Sequence, residues 1–88
     1  MEIEYIIKRD YSTKTFHLDK ISGAIQKAMN AVGHGTEQNA QDVALSVYQI
    51  LVGRKENDIE YVPTIEEVQD VVETKLMESK FTEAAKAY

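Results

Sequence analysis

Apolar and polar residues alternate at the start of the chain. Ile3, Tyr5 and Ile7 fall on one side, and Glu2, Glu4, Ile6 and Lys8 on the other. β-branched and aromatic residues at period two predict a strand. Residues 13–18 (TKTFHL) predict a second strand, and Asp10, Tyr11 and Ser12 between them are turn formers. The two strands read as a β-hairpin, which is marginal in water and must pack on something.

From Leu18 the period changes. Leu18, Ile21, Ala24, Ile25, Ala28, Met29 and Val32 are spaced by threes and fours, the pattern of an amphipathic helix. Asp19 is the predicted N-cap and Gly33 the stop. After the loop Gly33-His34-Gly35-Thr36, a second helix is expected from Glu37, with Ala40, Val43, Ala44, Val47, Tyr48 and Leu51 on its stripe and Gly53 as its end. Residues 54–63 (RKENDIEYVP) predict a polar connector anchored to the core by Ile59, Tyr61 and Val62. Thr64-Ile65-Glu66-Glu67 is a capping box that opens a third helix, with Ile65, Val68, Val71, Val72 and Leu76 as its stripe. Glu78-Ser79-Lys80 breaks it, and residues 81–88 begin a fourth helix with Phe81, Ala84, Ala85 and Tyr88 on one side. That helix reaches the chain end without a C-cap, so the chain reads as a fragment of a longer protein. The expected fold is α+β: a small N-terminal hairpin lid packed on a bundle of about four short helices, one domain over residues 1–88.

Composition narrows the chemistry. The chain of 88 residues has no cysteine, which removes disulfides, thiolate metal sites and thiol nucleophiles. No stretch approaches a membrane span, and the start lacks a secretory pattern, so the expected setting is cytoplasmic. Net charge is -5, which argues against a nucleic acid partner. The charge is uneven: between residues 8 and 20, Lys8, Arg9, Lys14 and Lys20 outnumber Asp10 and Asp19, leaving +2 there and -7 elsewhere. A compact cationic spot on an acidic body suits one small anion better than a polymer.

Neither glycine-rich phosphate motif is present, and the four glycines are scattered. His17 and His34 lie in different elements, so no metal site is expected. Glu37, Glu66 and Glu67 are first-turn acids that the helix dipole favours in any case. Nothing assembles a nucleophile, a base and an orienting group, so the chain is read as non-enzymatic. What remains is a basic cluster. Lys8 and Arg9 end the first strand and Lys20 sits in the first turn of the first helix, against the macrodipole. A bound phosphate would account for that placement, and ordinary solvated side chains would account for it equally well. Ile7 and Phe16 could line an adenine slot or simply be core. His17 could bond a base or ribose, or stay exposed.

The segment as a whole resembles a known family. Ile6-Ile7-Lys8-Arg9-Asp10, then Phe16-His17-Leu18-Asp19-Lys20-Ile21, then Ala24, Ile25 and Ala28, is similar to the ATP-cone signature V-x-K-R-D-G … F-(D/N)-x-x-K-I … A-I-x-x-A. Pro63 to Glu73 (PTIEEVQDVVE) resembles that family's third-helix segment, and Ala84-Ala85-Lys86-Ala87-Tyr88 resembles its A-K-A-Y tail. The resemblance implies a regulatory domain that binds ATP or dATP, with Mg2+, and controls a larger ribonucleotide reductase, often through quaternary structure. It implies the parent's catalytic core as partner, and association between copies through the cone. By position it implies nucleotide contacts from Lys8 and Arg9 on the lid and from Lys20 to phosphates. Ile7, Phe16, His17 and Ile21 would border the base or sugar, with Thr64, Gln69 and Lys86 contributing from the later helices. The third-helix and tail wording is most similar to anaerobic, glycyl-radical reductases.

There are departures. Tyr11 stands where the family has glycine, so the hairpin turn is expected to differ. Lys14 replaces an acid, and His17 replaces Asp or Asn. These keep two alternatives in view: a degenerate cone acting as a protein-interaction module, and the cone of a nucleotide-sensing transcriptional repressor. The start at Met1, with no cysteine-bearing ribbon before it, favours a reductase.

Overall fold

The computed structural model describes residues 2–88; Met1, with which the expected domain begins, lies outside them. The element order is β1 (Tyr5–Ile7), β2 (Thr13–Thr15), α1 (Leu18–Val32), α2 (Glu37–Asn57), α3 (Ile65–Glu78) and α4 (Thr82–Ala87). This is the expected α+β architecture, an antiparallel hairpin followed by four helices. The helices close on one another: α1 packs on α2 and α4, and α3 packs on the same two. Ile25 and Met29 of α1, Val47 and Leu51 of α2, and Val72 and Leu76 of α3 form a fully buried centre.

The hairpin is held by more than its own three-residue ladder. β1 pairs with β2 in the register Tyr5–Thr15, Ile6–Lys14 and Ile7–Thr13. On its other edge the Ile7 N–H donates to the Pro63 carbonyl at 2.9 Å, and Ile7 forms a parallel bridge with Thr64. Ile3, Ile6 and Phe16 are buried in the shared core. The Phe16 ring packs on Tyr48 with centroids 5.8 Å apart, and the Tyr48 hydroxyl accepts the Ile3 N–H at 3.2 Å.

The alternation expected along β1 is corrected here. Ile6 points into the core with Ile3, whereas Tyr5 is 53% exposed. The ladder starts only at Tyr5, so the chain between Ile3 and Tyr5 does not carry strand parity, and Ile6 becomes the inward residue.

The turn between the strands places a non-glycine residue in an unusual backbone conformation. Tyr11 adopts φ 68°, the left-handed conformation that glycine takes without penalty. The Tyr11 N–H donates to the Lys8 carbonyl at 3.0 Å, and the Lys8 N–H donates to the Ser12 carbonyl at 2.7 Å. A turn closed by a left-handed residue is a common three-residue hairpin loop. The Asp10 carboxylate accepts from both the N–H and the hydroxyl of Ser12, which holds its pKa below the usual carboxylate value. Tyr11 itself is 89% exposed, so its ring recovers nothing from packing.

Helix boundaries follow local chemistry, with two corrections. The N-cap of α1 is His17, without a side-chain cap bond, and Asp19 lies in the first turn where its charge favours the helix dipole. α1 ends at Gly33 in the left-handed region, with the Gly33 N–H on the Asn30 carbonyl and the His34 N–H on that of Met29. Gly35 adopts φ 120°, and a Cβ there would collide with the buried Met29 side chain, so the loop closes with glycine. α2 runs through Gly53 to Asn57. One interior glycine costs only about 1 kcal/mol, and Arg54 and Lys55 suit the last turn of the helix.

Ile59, expected to anchor the connector, is 75% exposed. It sits at the apex of a turn in which the Tyr61 N–H donates to the Asp58 carbonyl at 2.9 Å and the Glu60 N–H to Asp58 Oδ1 at 3.1 Å. Tyr61 is the real anchor. Its hydroxyl donates to Glu67, which also pairs with Arg54 and completes the capping box with Thr64. Burial first, and then the bond to Glu67, push the Tyr61 phenol up to about 12.

Two stability predictions follow from these local geometries. Tyr11→Gly removes a left-handed penalty of about 1–2 kcal/mol and adds about 0.5–1 kcal/mol of unfolded-chain freedom. The net is a gain of roughly 0–1.5 kcal/mol, read as a rise of up to several degrees in thermal melting; a lower melting temperature would show that the turn is not strained. Tyr61→Phe should lower stability by about 1 kcal/mol near neutral pH, through loss of one hydrogen bond. The folded state favours the neutral phenol, so that advantage is complete below pH 10 and is lost as pH rises from 10 towards 12. The gap in melting temperature between the two proteins should therefore narrow over that interval, and a constant gap would exclude the phenol as its source.

Candidate functional site

The hairpin does not lie flat on the helices. Between it, α1, α3 and the end of the chain is a cleft of about 570 Å3. The hairpin side contributes Ile6, Lys14, Thr15, Phe16 and His17. α3 contributes Ile65, Val68 and Gln69, and Ala87 and Tyr88 close the far side. α1 supplies the longest wall: Lys20, Ile21, Ala24, Lys27, Ala28 and Ala31. Positions 20, 24, 27, 28 and 31 recur at helical spacing and so share one face of α1. The three alanines end at Cβ, which leaves that face shallow.

The lining has one kind of charge. Lys14, Lys20 and Lys27 reach it, and among the described residues that line it none is acidic. This contrasts with a chain of net charge -5. Outside the lining, four cations are paired: Arg9 with Glu66, Arg54 with Glu67, Lys75 with Glu78 and Lys86 with Glu83. No carboxylate lies within ion-pairing distance of Lys14, Lys20 or Lys27 among the described residues. The start of α1 adds to this field. α2 and α3 each begin with a complete capping box, whereas α1 begins at His17 with no side-chain cap. In that first turn the Lys20 N–H donates to the His17 carbonyl at 3.2 Å, and the positive dipole end of the helix lies beside His17 and Lys20, both of which line the cleft.

The inner wall is apolar. Ile6, Phe16, Ile21 and Val68 are core residues that also surface in the cleft. Burial, and then the nearby Glu73 charge, raise the pKa of the Tyr88 phenol, so it stays neutral at the far wall. The arrangement suits a ligand with a flat apolar part and an anionic tail.

Of the residues singled out from sequence, the structure brings Phe16, His17, Lys20, Ile21 and Gln69 to the cleft. It does not bring Ile7, Lys8, Arg9, Thr64 or Lys86 into its lining. Ile7 lies one residue out of phase with the inward Ile6 and spends its backbone on Pro63. Lys8 begins the turn and is exposed. Arg9 is tied outside the cleft, with Nε 3.4 Å from Glu66 Oε1 and Nη2 donating to Gln69 Oε1 at 3.4 Å. The Thr64 hydroxyl is occupied by the capping box, and Lys86 is exposed beside Glu83 at 3.7 Å. The sequence reading passed over Ile6, Lys14 and Lys27 as lining residues. Lys27 carried a usable signal, its position seven residues after Lys20; Ile6 carried none until the strand register was known.

The class of the fold and site is a hairpin folded over a four-helix bundle, with an apolar cleft between them that carries a cationic rim. The sequence belongs to the ATP cone domain family, whose profile matches residues 4–88. It is 40% identical, over 98% of its length, to a vitamin B12-dependent ribonucleoside-diphosphate reductase of Thermoplasma acidophilum. It is 35% identical, over 94% of its length, to an anaerobic ribonucleoside-triphosphate reductase of Haemophilus influenzae. The chain spans 11% of the length of each relative. It corresponds to the cone of such proteins, a regulatory region, and not to an enzyme in itself. Among the described residues no helix is long and apolar enough to cross a membrane.

Proposed function

We propose that the cleft binds an adenine nucleotide, ATP or dATP, and that the domain reports its presence to the catalytic core of a larger cytoplasmic ribonucleotide reductase of which residues 1–88 form one domain. The observation that carries this reading is the unpaired lysine rim around an apolar slot on an acidic chain. Adenine packs against Phe16, Ile21 and Val68, with Ile6 taking the part expected of Ile7. The phosphates meet Lys20 and the uncapped start of α1, where both side chain and backbone attract an anion. Gln69 and His17 supply polar contacts to base or sugar. Arg9 and Lys8, on the turn beside the cleft, join the phosphates if Arg9 exchanges Glu66 for the ligand. Lys86 requires a similar exchange with Glu83, and Thr64 acts only through the start of α3. Magnesium would travel with the phosphates, because the described lining offers it no carboxylate.

Regulation then follows from differential binding. A nucleotide shifts the parent only by preferring one arrangement of the cone over another, including an arrangement between copies. The reductase relatives support this parent over a transcriptional repressor. They include both a B12-dependent and an anaerobic reductase, at 40% and 35% identity, so the anaerobic motifs alone do not select the class.

Isothermal titration of the 88-residue chain with ATP and with dATP, in magnesium, tests the reading. Saturable micromolar binding is expected. Lys20→Ala should weaken it by at least about 1.5 kcal/mol, roughly tenfold, with melting unchanged. No heat from a folded sample with either nucleotide would overturn the proposal and leave the cone as an interaction module.

A further inference from the structure

Lys27 is placed to do something the other cleft cations cannot. It follows Lys20 on the same face of α1, about 10.5 Å further along the axis at 1.5 Å per residue. Both lysines line the cleft. Between them the face presents Ala24, which is exposed and carries nothing beyond Cβ to lift a ligand off the helix. Neither lysine has a carboxylate partner among the described residues, so each meets a ligand without first breaking an ion pair.

Two cations this far apart on one rigid helix are bridged best by an anion of comparable extent. A single phosphate held at Lys20, toward the start of α1, lies about two helical turns from the Lys27 backbone. A chain of phosphates running along the α1 face reaches both. The apolar wall sees the same nucleoside in every case and cannot tell these ligands apart. On this basis, and resting on the nucleotide reading above, we propose that Lys27 sets the selectivity of the cleft for the length of the phosphate chain, favouring a triphosphate over a monophosphate.

The test is titration of the chain and of Lys27→Gln with ATP and with AMP. The unsubstituted protein should bind ATP more tightly than AMP. Lys27→Gln should weaken ATP binding about tenfold, as expected for one charge-assisted contact, and leave AMP binding nearly unchanged. Lys27→Arg keeps the charge and should keep the ATP to AMP ratio. Lys80→Gln removes the same charge away from the cleft and should change neither affinity. Lys27 is exposed, so the variants should fold, and their melting curves check this. Equal weakening of ATP and AMP by Lys27→Gln, or none, would overturn the assignment while leaving the nucleotide reading intact. Failure of the unsubstituted chain to bind either ligand would instead remove the nucleotide reading itself.

Discussion

The Glu67 carboxylate ties together three parts of the chain that have no other short-range reason to meet. It accepts from Thr64 at the start of α3, from the Tyr61 hydroxyl in the connector and from Arg54 in the last turn of α2. Hydrogen bonds to a charged group contribute about 1.5–3 kcal/mol when shielded and much less when exposed. With its side chain 26% exposed, Glu67 lies toward the shielded end of that range. The consequence reaches the hairpin. Pro63 and Thr64, fixed at the start of α3, are the residues on which the free edge of β1 hangs. An isolated three-residue ladder would not persist in water. With one edge tied to the connector and Ile3, Ile6 and Phe16 in the core, the hairpin becomes a wall of the cleft.

α1 carries two demands on a single helix. Ile25 and Met29 face the centre of the bundle, while Lys20, Ala24, Lys27 and Ala31 face the cleft, and Ile21 and Ala28 serve both. The core demand fixes the rotation of the helix, because Ile25 and Met29 are fully buried. The cleft residues then take their places from helical periodicity alone. The same helix starts without a side-chain cap, which forgoes about 1 kcal/mol of local stability.

Much of this was legible from sequence because it is local. The Thr64 to Glu67 capping box, the Gly33 stop and the α3 stripe each depend on residues within a few positions of one another, and they formed as expected, as did the α1 stripe except for Ala24, which is exposed. The misreadings turn on strand pairing, on a distant partner and on a turn whose geometry is not evident from apolar content. Gly53 looks like a stop until Arg54 is seen reaching Glu67 across to α3. Ile59 looks like an anchor until the Asp58 turn pushes it outward. Ile7 rather than Ile6 looked inward because the alternation was counted from Ile3, before the point where pairing with β2 begins. The basic cluster was half legible. Lys20 stood out because it opposes the helix dipole, but the ion pairs that draw Arg9 and Lys86 to Glu66 and Glu83 depend on how side chains arrange at an exposed surface.

The electrostatics of the cleft reconcile an acidic chain with an anion-attracting site. At a distance the net charge of -5 repels an anion, but at 0.1 M salt the screening length is about 10 Å. The molecule extends 38 × 25 × 17 Å, so much of its acidic surface lies beyond that length from any one point. What an anion meets inside the cleft is therefore local: three lysines, the start of α1 and no described acidic side chain in the lining. Pairing the outer cations with Glu66, Glu67, Glu78 and Glu83 strengthens the contrast, because those positions present nearly neutral patches while the rim stays positive. The acids lower the net charge of the chain without pairing any of the three cleft lysines among the described residues.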